Sequence, residues 1–263
     1  MNERFQYSRE FYERDKNYLD HLEQKEGDPS WFRDYYTAVL EHSTPASRIL
    51  DCGCGTGITT AHLHEDRPLI EGVDFSETYV ARARRRGGYF RRMDLTALEF
   101  PDATFDVVCS ADAVEHVPAL ERALAEMDRV LKPGGVFVLQ TPNLWCNLVS
   151  VNYARTPRNI MKKPARLLRD CIRTRLRTVE EYELDVVAGD RDACNLMSPI
   201  WLRRHFRGQG YRLLSFTTYS AFFEPRGLVR MALGCLKRVP FVKDLGGRIV
   251  MAAAKRDGIM SKS

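Results

Sequence analysis

From residue 48 onward, short apolar runs alternate with helical patterns, and this alternation does most to restrict what the 263-residue chain can fold into. It is the signature of a parallel sheet whose strands are joined by crossover helices. Strands are expected at 48–52 (RILDC), 69–74 (LIEGVD), 89–93, 105–110 (FDVVCS) and 135–140 (GVFVLQ), with helices between them. The clearest helix runs from Pro118 to Leu131, because Leu120, Leu124, Met127 and Leu131 recur three or four apart on one face. Lys132-Pro133-Gly134-Gly135 cannot continue it, so Gly135 is expected to open the fifth strand.

The rhythm stops after Thr141-Pro142-Asn143 and resumes with a helix near Pro199–Gly208 and two strand candidates, 211–219 and 247–254. Before residue 48, Asp28-Pro29 reads as an N-cap followed by proline in the first turn of a helix reaching Glu41. An earlier helix rich in Phe5, Tyr7, Phe11, Tyr12 and Tyr18 either packs on the domain or lids a bound ligand. Four parts follow: 1–45, an N-terminal helical lid; 46–143, a ligand-binding core; 144–198, a helical insertion; 199–263, the remainder of the core sheet.

With 44% hydrophobic and 29% charged residues, the chain has the composition of an ordinary soluble protein. No run approaches the roughly 18 apolar residues a membrane span needs, and the first residues lack a signal-peptide stretch, so a cytoplasmic location is expected. Seven cysteines, an odd number with no zinc-type spacing, point to reduced thiols. The net charge of +5 conceals an asymmetry: residues 1–150 hold 17 Lys+Arg against 25 Asp+Glu, and the remainder holds 23 against 10. A basic half meets something anionic, or is simply a solvated face.

The strand RILDC runs into Gly53-Cys54-Gly55-Thr56-Gly57 and then a helix, a context in which backbone N–H groups approach a ligand closely. Asp74, 21 residues beyond Gly53 at the end of the second strand, can accept both hydroxyls of a ribose. A nucleoside-containing cofactor fits both features. Dinucleotide binding is disfavoured, since the third glycine arrives one residue early and Ile58 stands in its expected place. Asp51 would repel a pyrophosphate but suits an ammonium group, and Asp94 ends the third strand where it can accept from an adenine amino group.

Taken in order, ILDCGCGTG, EGVDFS, RRMDL, FDVVCSADAVEHV and LKPGGVFVLQTPN resemble the successive motifs of the class I S-adenosylmethionine-dependent methyltransferases across residues 48–143. The resemblance implies a Rossmann-like, doubly wound α/β sheet of seven strands with the last antiparallel, so that 211–219 and 247–254 pair at one edge. It implies that Asp51 with Gly53, Gly55, Thr56 and Gly57 holds the methionine part of S-adenosylmethionine. Asp74 would hold the ribose; Phe75, Ser76, Asp94 and Leu95 would flank the adenosine; Ser110 and Ala111 would line the cofactor. S-adenosylhomocysteine would be the product. The Glu115-His116-Val117 signature and the Thr-Pro-Asn after strand five are similar to demethylubiquinone-type O-methyltransferases. Their divalent-cation site would correspond to Asp112, Glu115 and His116, but aspartate at its first position shortens the reach and weighs against Mg²⁺. His116 is then a candidate general base or a packing residue at the strand-to-helix turn.

Between Arg155 and Arg177 stand nine bases against one acid, with Leu167, Leu168, Cys171, Ile172 and Leu176 at helical spacing. Such a helix contacts an anionic membrane, recognises an acidic substrate, or lids the domain. The reading reached is a methyltransferase acting on a hydroxyl of a small-molecule or lipid-like acceptor. An N-methyltransferase and a membrane-associated adaptor with the same fold are the alternatives. Nucleic acid is not expected as a substrate, because Asp112-Ala113-Val114 stands where an Asn/Asp-Pro-Pro-Tyr motif would be.

Overall fold

A computed structural model describes residues 29–149, 165, 176–178, 193–219 and 247–257. The first 28 residues, most of 150–192 and residues 220–246 lie outside the described residues, and with them the aromatic helix and nearly all of the basic helix over 155–177.

Seven strands form one sheet: β1 (Ile49–Cys52), β2 (Ile70–Asp74), β3 (Tyr89–Arg92), β4 (Phe105–Ala111), β5 (Leu131–Pro142), β8 (Tyr211–Tyr219) and β9 (Arg248–Lys255). Their order is β3-β2-β1-β4-β5-β9-β8. The first five are parallel; β9 lies antiparallel to β5, and β8 antiparallel to β9. This is the doubly wound sheet that the sequence motifs imply. A separate two-stranded ribbon pairs β6 (Arg177–Thr178) with β7 (Asn195–Leu196).

Apolar residues fill both faces because successive strand side chains alternate. Ile49, Val107, Cys109, Val138, Val250 and Ala252 join one core cluster, which Tyr35, Tyr36, Ala38 and Val39 of α1 (Arg33–Glu41) close. Their neighbours Leu50, Val108, Phe137, Leu139, Met251 and Ala253 join the other cluster. There Leu120, Ala123, Leu124, Met127 and Val130 of α4 (Leu120–Val130) supply the helix face. The remaining helices are α2 (Ile58–His64), α3 (Glu77–Arg84), α5 (Leu144–Val149) and α6 (Pro199–Gly208); a 3-10 turn over Pro29–Phe32 leads into α1. Ser198 caps α6 by accepting from Trp201 N, and Pro199 takes the first turn.

The fifth strand departs from expectation by starting at Leu131 instead of Gly135. Leu131 pairs with Phe105 and Val136 with Val107, so Lys132 to Gly135 oppose the single residue Asp106. Pro133 has no N–H to donate, and Gly134 adopts φ +75°, so these residues bulge outward while the strand continues. Lys132 Nζ fixes the bulge on Asp106 Oδ1 at 2.7 Å.

Candidate functional site

The order of strands reverses between β1 and β4, and ligands of open α/β sheets bind at such a switch point beyond the carboxyl ends of the strands. The residues singled out from the sequence cluster there, in unequal roles.

The glycine turn leaves β1 as a tight loop in which Gly53, Gly55 and Gly57 all have positive φ, between 55° and 80°. Glycine is needed at Gly53 twice over: besides its φ of +76°, a Cβ there would stand 2.3 Å from the Ala113 Cβ of the turn after β4. The N–H groups of Gly53 and Cys54 both donate to Val73 O, and Gly55 N donates to Asp74 Oδ2 at 3.0 Å. Thus the loop is tied to the end of β2, with Ala113 packed against Gly53 and Ala83 and Phe90 against Gly57.

Asp74 also receives Ser76 N on Oδ1 at 2.9 Å. Burial pushes its carboxyl up to about 6, against the pull of the Ser76 and Gly55 N–H donors. The Phe75 N–H also favours the ionised carboxylate. Ser76 is itself buried and caps α3 by accepting from Tyr79 N, so its part is to orient Asp74 and start the helix.

Asp51 is buried beneath the loop, with Oδ2 accepting from Thr60 Oγ1 at 2.6 Å and Thr59 Oγ1 at 3.0 Å, and Oδ1 from Tyr35 OH at 3.4 Å. Burial raises its pKa, and the three hydroxyl donors oppose that rise. Its charge therefore reaches the turn through the field, behind a layer of hydroxyls. Thr59 and Thr60 went unnoticed in the sequence, although a buried aspartate beside two threonines of a first helical turn is a readable pairing.

The predicted adenosine-flanking set is only partly assembled. Phe75 is half-buried, whereas Asp94 is exposed, with Oδ1 accepting from the N–H and hydroxyl of Thr96 at 2.8 Å each. Leu95 packs into the core with Val73, Met93 and Leu98. Ser110 donates its hydroxyl to Cys52 O at 2.7 Å, bracing β4 against β1, and Ala111 is half-buried beside it. Thr56 is buried, and its carbonyl accepts from Arg86 Nε at 3.0 Å.

Beyond β4, Asp112 adopts φ +49°, and the 3-10 turn Val114–His116 follows. Asp112, Glu115 and His116 do not converge. Asp112 Oδ2 accepts from Arg248 Nε at 2.7 Å and Gln140 Nε2 at 3.3 Å, while Glu115 Oε2 accepts from Thr141 Oγ1 at 3.5 Å. His116 Nε2 stands 3.9 Å from Glu115 Oε1. Among the described residues no three side chains group as metal ligands. Arg248 was not anticipated: it is 2% exposed, and its guanidinium carbon lies 4.3 Å over the Trp31 ring. Its signal was a lone charge at the head of the apolar run IVMAAA. The segment ending the insertion clasps the same turn, with Cys194 N donating to Glu115 O at 2.9 Å and Asn195 Nδ2 to Val117 O at 2.7 Å.

Among the described residues, Cys52, Cys54, Cys109, Cys146 and Cys194 form no disulfide, and no helix is long and apolar enough to cross a membrane.

Residues 50–139 match the family described as "Methyltransferase domain". A demethylmenaquinone methyltransferase of Symbiobacterium thermophilum is 36% identical over 149 residues, 52% of this chain and 59% of that protein. A phosphatidylethanolamine N-methyltransferase of Cereibacter sphaeroides is 39% identical over 100 residues, 35% of this chain and 49% of that protein. The chain thus spans about half the length of these curated relatives. A SAM-dependent methyltransferase from Archaeoglobus fulgidus shares the fold at a TM-score of 0.59, covering 92% of this chain and 100% of that one at 16% identity. Sheet order, glycine turn and matched segment agree: residues 50–139 match a methyltransferase domain, and the chain has the fold of the S-adenosylmethionine-dependent methyltransferases that it resembles.

Proposed function

We propose that the chain transfers a methyl group from S-adenosylmethionine to a hydroxyl of a small-molecule or lipid-like acceptor. The observation that carries the cofactor half is the hydrogen bond from Gly55 N to Asp74 Oδ2, which sets a buried carboxylate beside the glycine turn at the switch point. The residues fit the cofactor: the glycine turn lets backbone approach a methionine moiety, and the Asp74 carboxylate can accept from a ribose hydroxyl. In this reading Gly53, Gly55, Thr56 and Gly57 offer backbone, Asp51 supplies negative charge beneath the ammonium, and Phe75, Asp94 and Leu95 border the adenine. Ser76, Ser110 and Ala111 shape the wall.

The cofactor supplies a methyl group already activated by its sulfonium. What remains for the protein is to align the acceptor, exclude water and receive a proton. His116 takes the acceptor hydroxyl's proton, and Glu115, whose Oε1 lies 3.9 Å from Nε2, steadies the resulting imidazolium. Asp112 Oδ2 pairs with Arg248, and in this reading the two border the acceptor.

The names of the relatives support acceptors that partition into membranes, a quinone in one and a phospholipid in another. With them goes a cytoplasmic protein in four parts, the 1–45 lid, the 46–143 core, the 144–198 insertion and the 199–263 remainder, whose basic segment over 155–177 touches an anionic bilayer.

Calorimetric titration with S-adenosylhomocysteine and, separately, NAD tests the cofactor half; tight binding of the first alone is expected, and binding of NAD alone would overturn it. Incubation with S-adenosylmethionine and either a phenolic lipid or phosphatidylethanolamine, with fragment masses locating the methyl on oxygen or nitrogen, then tests the acceptor class; methylation of the amine alone would overturn the hydroxyl reading.

A further inference from the structure

Residues 82–92 contain six arginines, Arg82, Arg84, Arg85, Arg86, Arg91 and Arg92, with no lysine and no acid, inside the half of the chain whose net charge is negative. They lie on α3 and β3, and β3 is an edge strand of the seven-stranded sheet. Among the described ion pairs, Glu77 meets Arg84 at 3.1 Å, and Glu71 meets Arg91 at 3.4 Å and Arg48 at 3.5 Å. The basic groups outnumber these acids. An edge strand carrying charge resists pairing with another sheet, but that purpose does not call for arginines on the neighbouring helix end as well.

The guanidinium groups are oriented from behind. Arg84 Nε donates to Phe90 O at 3.2 Å, Arg86 Nε to Thr56 O at 3.0 Å, and Arg92 Nε to Phe75 O at 2.9 Å. Arg91 stacks over Phe100 at 4.2 Å. A guanidinium held through Nε keeps its outer nitrogens in a fixed fork, the geometry suited to phosphate oxygens, and loses less freedom on binding than a lysine would.

Leu69, at 48% exposure, and Tyr89, at 67%, are the exposed large hydrophobic residues of the described surface, and both belong to this edge. Tyr89 stands opposite Glu71 in the parallel register of β2 and β3, and Leu69 precedes Glu71 by two residues. Period-two alternation therefore puts Glu71, Tyr89 and Arg91 on one face of the sheet, with Leu69 in the turn that leads into β2. Phe90 faces the other way, into a small cluster with Val80 and Ala83. Gly87 and Gly88, both with positive φ, turn the chain outward just before Tyr89.

We propose that this α3–β3 edge docks on the phosphate headgroups of an anionic phospholipid bilayer, with Tyr89 and Leu69 entering the headgroup layer. Because Phe90 packs on α3, the α3 arginines and the Tyr89–Arg91 face flank the β3 edge from its two sides, and an edge-on approach lets both reach an interfacial layer. Single-stranded nucleic acid would use the arginines and Tyr89 but gives Leu69 nothing to contact. The surface is separate from the 155–177 segment and does not depend on the methyltransferase reading.

The test is co-sedimentation of the full chain with phosphatidylglycerol vesicles, phosphatidylcholine vesicles and an oligothymidine of equal total charge, at low and high salt. The wild type is expected to bind phosphatidylglycerol vesicles at low salt, to leave them at high salt, and to ignore phosphatidylcholine. Each basic residue near an anionic surface strengthens binding by about fivefold. Arg85→Glu with Arg91→Glu is therefore expected to weaken it at least about 25-fold, and Tyr89→Ser measurably on its own. If the reversed pair does not fold, by circular dichroism, Arg85→Gln with Arg91→Gln carries the same test. Vesicle binding equal to wild type in the paired variant, no vesicle binding by the wild type, or tighter binding of oligothymidine than of vesicles would each overturn the proposal. Arg166→Glu, Arg169→Glu and Arg173→Glu together leave the edge intact, so a loss confined to that triple variant also refutes it.

Discussion

Replacing Asp74 by asparagine separates what this carboxylate costs the fold from what it does for a ligand. Its pKa is held at about 6 against an ordinary 3.8, chiefly by burial, a rise of about two units or roughly 3 kcal/mol. The native state therefore binds this proton more tightly than the unfolded chain does. The associated stability is fully present below about pH 3.8 and is lost as pH rises through about 6. Asparagine removes that penalty, but its amide N–H₂ cannot accept, so either Gly55 N or Ser76 N loses its partner at about 1–3 kcal/mol. Near pH 7.5 the two terms roughly cancel. Near pH 4 only the loss survives, and the variant is the less stable protein. Ligand affinity moves otherwise: the ribose hydroxyls need the ionised carboxylate, so S-adenosylhomocysteine is expected to bind the wild type about tenfold more weakly at pH 5 than at pH 8. In Asp74→Asn the affinity falls by about 1.5–3 kcal/mol at pH 8 and no longer changes with pH near 6. Thermal melting and calorimetry from pH 4 to 8 measure both. A variant that binds within twofold of wild type, or that keeps the titration near pH 6, would refute this account of Asp74.

Three further outcomes are expected. His116→Ala should lower turnover by about 10²–10⁴-fold at saturating acceptor with S-adenosylhomocysteine affinity unchanged; unchanged turnover returns the residue to packing. Arg248→Met removes the buried guanidinium from the part-buried Asp112 carboxylate and should destabilise by about 1–3 kcal/mol in denaturant titration, whereas adding Asp112→Asn, which tolerates a left-handed backbone, should recover much of the loss. The Arg166, Arg169 and Arg173 triple reversal should weaken attachment to anionic vesicles while sparing S-adenosylhomocysteine affinity; wild-type protein that stays in the supernatant at low salt defeats the bilayer reading of that segment.

The sheet was legible because its signals are local and period-bound. β1, β2 and β4 are buried on both faces and so read as unbroken apolar runs, and α4 buries one stripe and so shows it in sequence. What misled was Pro133-Gly134: by local rules it ends one element and delays the next, yet pairing of Leu131 with Phe105 begins the strand before it and expels the pair as a bulge. Long-range hydrogen bonding overrode a turn signal, and a propensity argument has no term for that.

The same division runs through the site. Gly53, Gly55 and Gly57 could be read because a backbone requirement writes itself into residue type, and Asp74 because its distance along the chain is fixed by one crossover unit. For Asp94 and Leu95 a strand end supplies a position but not a rotamer: Thr96 donates to the exposed aspartate, while the leucine packs in the core. Arg248 was beyond such reasoning altogether. It meets Asp112 from 136 residues away, because β9 inserts antiparallel beside β5 and its first residue arrives opposite Pro142, at the carboxyl end of the parallel strands. A cation delivered there by the one reversed strand decides the fate of the Asp112 carboxylate, which the local pattern Asp-x-x-Glu-His suggests for a metal. Wherever the last strand of such a sheet runs backwards, its leading residue is placed among the catalytic ends of the others. A charge at that position therefore belongs with the site, even when the intervening sequence gives no hint of it.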